Sequence, residues 1–161
     1  IDESANALRE AIHLLRKQNP NVKVIVTVSP IRYAKYGFHG SQLSKATLLL
    51  AADKLVREEG EAVYYFPAYE IVNDELRDYR FYKADMLHPN EQAVEYIWER
   101  LVATCFSSEA KKFLEAWRPI KEALGHRPFN PDSEAYRLFM QKTKEKIQWL
   151  KQLYPDLELD E

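Results

Sequence analysis

Glycine and cysteine are scarce in this sequence. Only 4 of the 161 residues are glycine, whereas α/β enzymes usually need several in the loops that bind phosphates or oxyanions. The glycine motifs of phosphate-loop and dinucleotide-binding proteins are missing. The one cysteine, Cys105, excludes an intramolecular disulfide and is compatible with the cytoplasm. We therefore expect neither a nucleotide-binding site nor a disulfide-stabilised fold.

Long apolar runs, an excess of one charge and groups of metal ligands are also absent. The longest apolar run, residues 46–52, includes a threonine and is too short to span a bilayer. The net charge is −2 and the two signs alternate, so we expect no basic face for nucleic acid. The histidines and the cysteine show no metal-ligand spacing. We expect no membrane span, no nucleic-acid partner, no metal and no cofactor.

The first 66 residues alternate between helical and extended patterns. Apolar residues at helical spacing predict a helix over residues 4–18 and a second helix that ends near residue 59. The nearly continuous apolar runs 22–28 (VKVIVTV) and 62–66 (AVYYF) predict two buried parallel strands. This order of elements is typical of α/β proteins. We therefore predict an α/β fold in which the chain forms part of a three-layer, flavodoxin-like parallel sheet.

Helical patterns dominate the remainder of the chain. Residues 89–104 predict one amphipathic helix, and residues 107–124 and 133–154 predict two more, joined by a turn with two prolines. We predict that residues 1–105 belong to the α/β domain. Residues 106–161 then form a C-terminal helical hairpin that packs on this domain or binds a partner.

The motif Asp85-Met86-Leu87-His88-Pro89 carries the clearest chemical signal. A carboxylate that binds one nitrogen of an imidazole fixes its tautomer and stabilises its protonated form. The other nitrogen can then take a proton from a nucleophile. A simpler alternative is a helix start, in which Asp85 complements the helix dipole and His88 is incidental.

The chain resembles the GSCFA family, which is named for an N-terminal Gly-Ser-Cys-Phe-Ala motif. The resemblance covers about residues 1–101, with the tail extending through His126-Arg127-Pro128-Phe129 and the following helix. Its motifs occur in the expected order as TVSPIR (27–32), SKATLLLA (44–51), YFPAYE (65–70), DELRDYRFY (74–82) and DMLHP (85–89).

The resemblance implies a branch of the SGNH-hydrolase-like fold, of which this chain is the C-terminal portion. It makes Asp85 the orienting acid and His88 the general base. The Gly-Ser-Cys-Phe-Ala motif itself is absent, and so is the Gly-x-Asn-Asp block that helps to form the oxyanion hole in SGNH hydrolases. We therefore expect the nucleophilic serine to lie in a missing N-terminal segment, and the chain alone to be inactive.

Two residues after the first strand are candidate substrate contacts. Ser29 is the only serine at the carboxyl end of a strand, where ligands meet open α/β sheets. Because Ser29-Pro30 lacks a glycine turn and oxyanion donors, a structural or substrate-contacting role is favoured over a nucleophilic one. Arg32 either binds an anionic group of a substrate or pairs with a nearby carboxylate. Arg77 and Arg80 have the same two interpretations, with pairing favoured.

The leading functional hypothesis is a serine ester hydrolase acting on an acyl or acetyl ester of a carbohydrate or lipid. The alternatives are acyl transfer by the same triad, if water is excluded, and a non-catalytic module that binds a partner through its C-terminal helices. An apolar sheet edge left exposed is also expected to favour a homodimer.

Overall fold

A computed structural model describes residues 1–159 of the chain. The chain divides into two compact units, Ile1–Ala103 and Thr104–Glu161, which are described separately below. In the described part of the chain, no helix is both long enough and apolar enough to cross a membrane.

The first unit begins with two helices that alternate with two short strands. Helix α1 (Asp2–Gln18) leads into strand β1 (Val24–Val26), and helix α2 (Gly37–Glu59) leads into strand β2 (Val63–Tyr65). The two strands pair in parallel, with Ile25 opposite Tyr64. The predicted order of elements and the parallel pairing are therefore confirmed.

One face of this small sheet is covered, and the other is open. Ile12 of α1, Leu55 of α2 and Val63 of β2 belong to one buried cluster, against which the valines of β1 pack. Ile25 and Tyr64 point the opposite way, because successive side chains of a strand alternate between its faces. Each of these two side chains is 49% exposed.

The predicted fold class is wrong. The chain is about 70% helical, and in place of a three-layer parallel sheet residues 1–159 contain a single sheet of two short parallel strands. A continuous apolar run predicts a strand buried on both faces, as in a parallel sheet between two helical layers. Here α1 and α2 cover one face of the sheet only. Of each apolar run, only three residues pair as a strand, Val24–Val26 in β1 and Val63–Tyr65 in β2.

After β2 the chain forms a series of short turns and one longer helix. Helix α3 (Ala68–Glu70) continues directly into a π-helical turn (Ile71–Leu76), which is followed by a 3₁₀ turn (Tyr79–Phe81) and helix α4 (Glu91–Cys105). A second buried cluster joins this region to α4; its members are Phe66, Ala68 and Ile71, with Tyr96, Ile97 and Leu101 packed against them.

Helix α4 begins two residues later than its pattern predicts. Pro89 lies in an isolated bridge with Tyr82. Asn90 caps the helix, because its side-chain oxygen accepts the Ala93 N–H at 3.0 Å. The Asn90 amide also donates to the Arg80 carbonyl at 2.6 Å. The cap therefore anchors the helix start to the preceding 3₁₀ turn.

The second unit is a helical hairpin made of α5 (Ser108–Gly125) and α6 (Glu134–Leu153). Ser107 and Ser133 cap these helices by accepting main-chain N–H groups. Phe113, near the start of α5, meets Tyr154, just after α6, with ring centroids 5.0 Å apart, so the helices run antiparallel. The two helices predicted here are confirmed, while the packing of the hairpin on the first unit stays a prediction.

Candidate functional site

Asp85 and His88 form a short hydrogen bond within one turn of chain. The distance between Nδ1 of His88 and Oδ2 of Asp85 is 2.6 Å. An ionised carboxylate only accepts hydrogen bonds, so Nδ1 carries the proton and the lone pair of the neutral ring lies on Nε2. The His88 side chain is 50% exposed, which leaves Nε2 accessible from solvent.

The second oxygen of Asp85 is held by the main chain. Oδ1 accepts the N–H groups of Leu87 at 2.9 Å and His88 at 3.1 Å. These two main-chain bonds, followed by the bond to the His88 ring, lower the pKa of Asp85 to about 2. The carboxylate is therefore ionised throughout the neutral range.

The turn between the two residues has an unusual backbone. Met86 has a φ of 59°, in the left-handed region that favours glycine. Its N–H donates to the Lys83 carbonyl at 2.9 Å, and the Lys83 N–H donates to the His88 carbonyl at 2.8 Å. The left-handed residue thus closes a compact turn that presents both side chains of the pair.

Arg32 binds this turn to the segment that follows β1. Its main-chain N–H donates to the Leu87 carbonyl at 3.1 Å, and its Nη1 donates to the Met86 carbonyl at 3.0 Å. The guanidinium also lies over the Phe38 ring, 4.3 Å from the ring centroid. The structure thus brings together three of the four predicted site residues, Arg32, Asp85 and His88.

Ser29 makes its hydrogen bonds with residues other than Arg32, Asp85 and His88. Its hydroxyl accepts the Ile31 N–H at 3.3 Å, and its carbonyl accepts the Nζ of Lys45 at 2.6 Å. The first contact is local to the loop after β1, and the second ties this loop to α2. Its role as a substrate contact stays a prediction.

Two comparisons with known families match this chain. The model of the GSCFA family matches residues 1–101, which is more than half of the chain. The chain belongs to the GSCFA family. The model described as the GSCFA domain protein, C-terminal domain, matches residues 117–161. No curated protein and no solved structure matches the chain.

Two buried polar residues of this GSCFA-family chain were not predicted from the sequence. Lys45 is only 3% exposed, and burial lowers the pKa of its ammonium group. Its Nζ lies 5.0 Å from the Tyr33 ring centroid, and the buried Ser41 hydroxyl accepts the Tyr33 N–H at 3.1 Å. Both residues therefore hold the loop that carries Arg32. Their shared helical face with buried Leu55 was the signal available in the sequence.

The site residues offer no set of metal ligands. No group of three or more histidine, cysteine, aspartate or glutamate side chains that could hold a metal ion occurs among residues 1–159. By their own hydrogen bond, His88 can act as a proton acceptor and Asp85 as its charged partner.

Proposed function

We propose that the chain supplies the general base and its orienting acid to a serine ester hydrolase of the SGNH mechanistic type. The observation that carries the proposal is the 2.6 Å bond between Nδ1 of His88 and Oδ2 of Asp85. The low pKa of Asp85 supports it, because a permanently ionised partner stabilises the imidazolium that forms during the reaction. Membership of the GSCFA family is consistent with this role.

In the proposed reaction, Nε2 of His88 takes the proton of a serine hydroxyl as its oxygen attacks the ester carbonyl. The proton then passes to the departing alkoxide, and an acyl-serine remains. Water hydrolyses that ester in a second step, with His88 again acting first as base and then as acid. The serine comes from outside these 161 residues, since the Gly-Ser-Cys-Phe-Ala motif does not occur in them.

Hydrolysis and acyl transfer by the same triad differ in whether water reaches the acyl-enzyme. Transfer to a sugar or lipid alcohol requires the acyl-enzyme to be protected from water. Half of the His88 side chain is exposed, and so is 42% of the Asp85 side chain. We propose an acyl or acetyl ester of a carbohydrate or lipid as substrate, with water as the acceptor; acyl transfer is the alternative if the serine-bearing segment shields this site from water.

The test is hydrolysis of p-nitrophenyl acetate by the full-length natural polypeptide that contains this sequence. His88→Ala should lower kcat/KM by about 10³-fold or more, since it removes the base. His13→Ala is the matched control, because His13 bonds Glu59 on α2 and should leave the rate unchanged. Equal rates in the wild type and His88→Ala would disprove the proposal.

The 161-residue chain alone should be inactive toward the same ester. Ser29 has no glycine turn beside it, and its hydroxyl accepts a local N–H. Turnover by the isolated chain that is abolished by Ser29→Ala would show instead that Ser29 is the nucleophile.

A binding module is the second candidate function. Helix α6 carries exposed apolar residues at helical spacing, namely Leu138, Trp149 and Leu153, each more than half exposed. Such a stripe is typical of a helix that docks against a partner. A full-length polypeptide without His88-dependent hydrolysis would favour this candidate.

A further inference from the structure

A small cavity lies beside the Asp85–His88 turn. Its volume is about 230 Å³, and Arg32, whose guanidinium also binds the Met86 carbonyl, forms part of its wall. Pockets for drug-sized ligands are larger, roughly 300–1,000 Å³. This cavity therefore suits a molecule of about one sugar ring.

The charges that line the cavity are unbalanced. Arg32 and Arg77 both line it, against the single carboxylate of Asp78. Within residues 1–159, neither guanidinium has a carboxylate within salt-bridge distance. Asp78 is already engaged, because it accepts the Arg80 N–H at 2.8 Å. Two guanidinium groups and one carboxylate give the cavity lining a net charge of +1.

The backbone positions Arg77 for this role. Residues 71–76 form a π-helical turn, a rare conformation that recurs at functional sites. Arg77 ends it with φ 40° and ψ 33°, and its N–H donates to the Val72 carbonyl at 3.0 Å. A left-handed conformation in a residue other than glycine is unfavourable. It places the Arg77 side chain on the same cavity wall as Val72 and Asn73.

Neutral groups around the cavity match a hydroxylated ligand. The Gln42 carbonyl accepts the Tyr69 hydroxyl at 3.0 Å, which leaves the Gln42 amide hydrogens as donors. The Asn73 amide donates to the Tyr69 carbonyl at 2.7 Å, which leaves its oxygen as an acceptor. Tyr79 and Tyr82 also line the cavity, and the Arg32 guanidinium lies 5.6 and 6.0 Å from the centroids of their rings. Burial raises the pKa of Tyr82, so its hydroxyl stays a donor.

We infer that this cavity binds a hydroxylated monoanion of sugar size, a sugar carboxylate, through the guanidinium groups of Arg77 and Arg32. A planar carboxylate matches the fork of a guanidinium. The single negative charge of such a ligand would neutralise the net positive charge of the cavity lining. The further role of this cavity, as the subsite that holds the acid group of an ester substrate, rests on the proposed function. The binding of a free sugar carboxylate does not depend on that function.

The experiment measures binding of D-glucuronate to the chain by ligand-observed NMR, with D-glucose as the neutral probe. Glucuronate should bind at least about 10-fold more tightly than glucose, and added salt should weaken it. Arg77→Asn should weaken glucuronate binding about 10- to 100-fold, because it removes a charged hydrogen-bond donor. Asparagine tolerates the left-handed backbone of position 77, so this variant should fold.

Arg80→Gln is the matched control. Arg80 lies on the adjacent 3₁₀ turn, with its guanidinium 4.8 Å from the centroid of the Phe81 ring and outside the cavity lining. This variant should bind glucuronate like the wild type. Equal binding of glucose and glucuronate, or equal losses in Arg77→Asn and Arg80→Gln, would overturn the inference. Tighter binding of glucose 6-phosphate than of glucuronate would overturn the assignment of a carboxylate.

The experiments distinguish failure of the carboxylate site from failure of the proposed hydrolase function. Binding in His88→Ala should equal binding in the wild type, because His88 does not line the cavity. Arg77-dependent binding in a protein without esterase activity would support the site and disprove the hydrolase. His88-dependent hydrolysis in a protein that binds glucuronate no more tightly than glucose would support the hydrolase and disprove the carboxylate site.

Discussion

The Asp85–His88 pair illustrates how a few main-chain groups determine the chemistry of a side chain. Asp85 receives two main-chain N–H bonds on one oxygen and the His88 ring on the other. The main-chain bonds are the larger cause of its low pKa. Sequence spacing together with the family resemblance indicated the bond between the two side chains. It did not indicate the two N–H donors, which exist because the turn closes through a left-handed residue.

The pKa of Asp85 is therefore predicted to stay low when the imidazole is removed. A ¹³C titration of the carboxyl group should give a value of about 2 in the wild type, against an ordinary 3.8. In His88→Ala the value should rise but stay below 3.8, because the Leu87 N–H bond and the N–H of residue 88 remain. An unshifted pKa in the wild type would contradict the geometry of the turn.

The lowered pKa of Asp85 makes the stability of the folded protein depend on pH. The folded-state pKa of Asp85 lies below its unfolded value, so the stabilisation is complete above about pH 4. It is lost as the pH falls toward 2, because the unfolded state then binds more protons. Asp85→Asn should remove this part of the acid dependence of the free energy of unfolding.

At the scale of elements, the site depends on turns more than on regular helices or strands. The segment after β1 and the turn 83–88 are far apart in sequence, yet Arg32 joins them through its main chain and its side chain. Lys45 and Ser41, both on α2, hold the loop on either side of Arg32, at Ser29 and at Tyr33 respectively. A helix and two turns thus position the Asp85–His88 pair together.

Met86→Gly is predicted to stabilise the protein. A left-handed backbone costs an ordinary residue about 1–2 kcal/mol, and the greater flexibility of glycine when unfolded offsets about 0.5–1 kcal/mol of that gain. Met86 is 45% exposed, so little packing is lost. The free energy of unfolding should rise by about 0.5–1 kcal/mol in urea denaturation. The Met86 carbonyl that binds Arg32 is retained.

Leu87→Gly is the control for that substitution. Positive φ angles occur at Met86 and Arg77 among the non-glycine residues that the structure describes, and Leu87 is not one of them. Glycine at position 87 should therefore destabilise the protein. Equal destabilisation by both substitutions would show that the backbone of Met86 carries no strain.

At the scale of the whole molecule, the small sheet is a surface that a second chain could pair with. Its strands have three residues each, and one face leaves Ile25 and Tyr64 half exposed. Unpaired strand edges are templates for pairing with another chain. The predicted homodimer through the exposed edge of this sheet stays a proposal.

Sedimentation over a range of protein concentrations tests it. We expect concentration-dependent dimers that Ile25→Lys weakens, because a lysine on an edge strand such as β1 opposes pairing with another chain. Leu14→Lys is the control, since it adds the same charge on α1 at a side chain that is 61% exposed. A monomer at every concentration, or equal weakening by both substitutions, would contradict the proposal.

The sequence by itself determined the family, the main helices, the parallel order of the two strands and the Asp85–His88 pair. Each of these depends on local spacing or on motifs in order, which periodicity and resemblance detect. Only the tertiary structure decided that the fold is mainly helical. An apolar run such as residues 22–28 predicts a buried strand, but it does not tell whether helices cover one face of the sheet or both. It also decided the contact of Arg32 with Met86, residues 54 positions apart, and the cavity beside it. Such contacts follow from how distant segments pack, which no local pattern encodes.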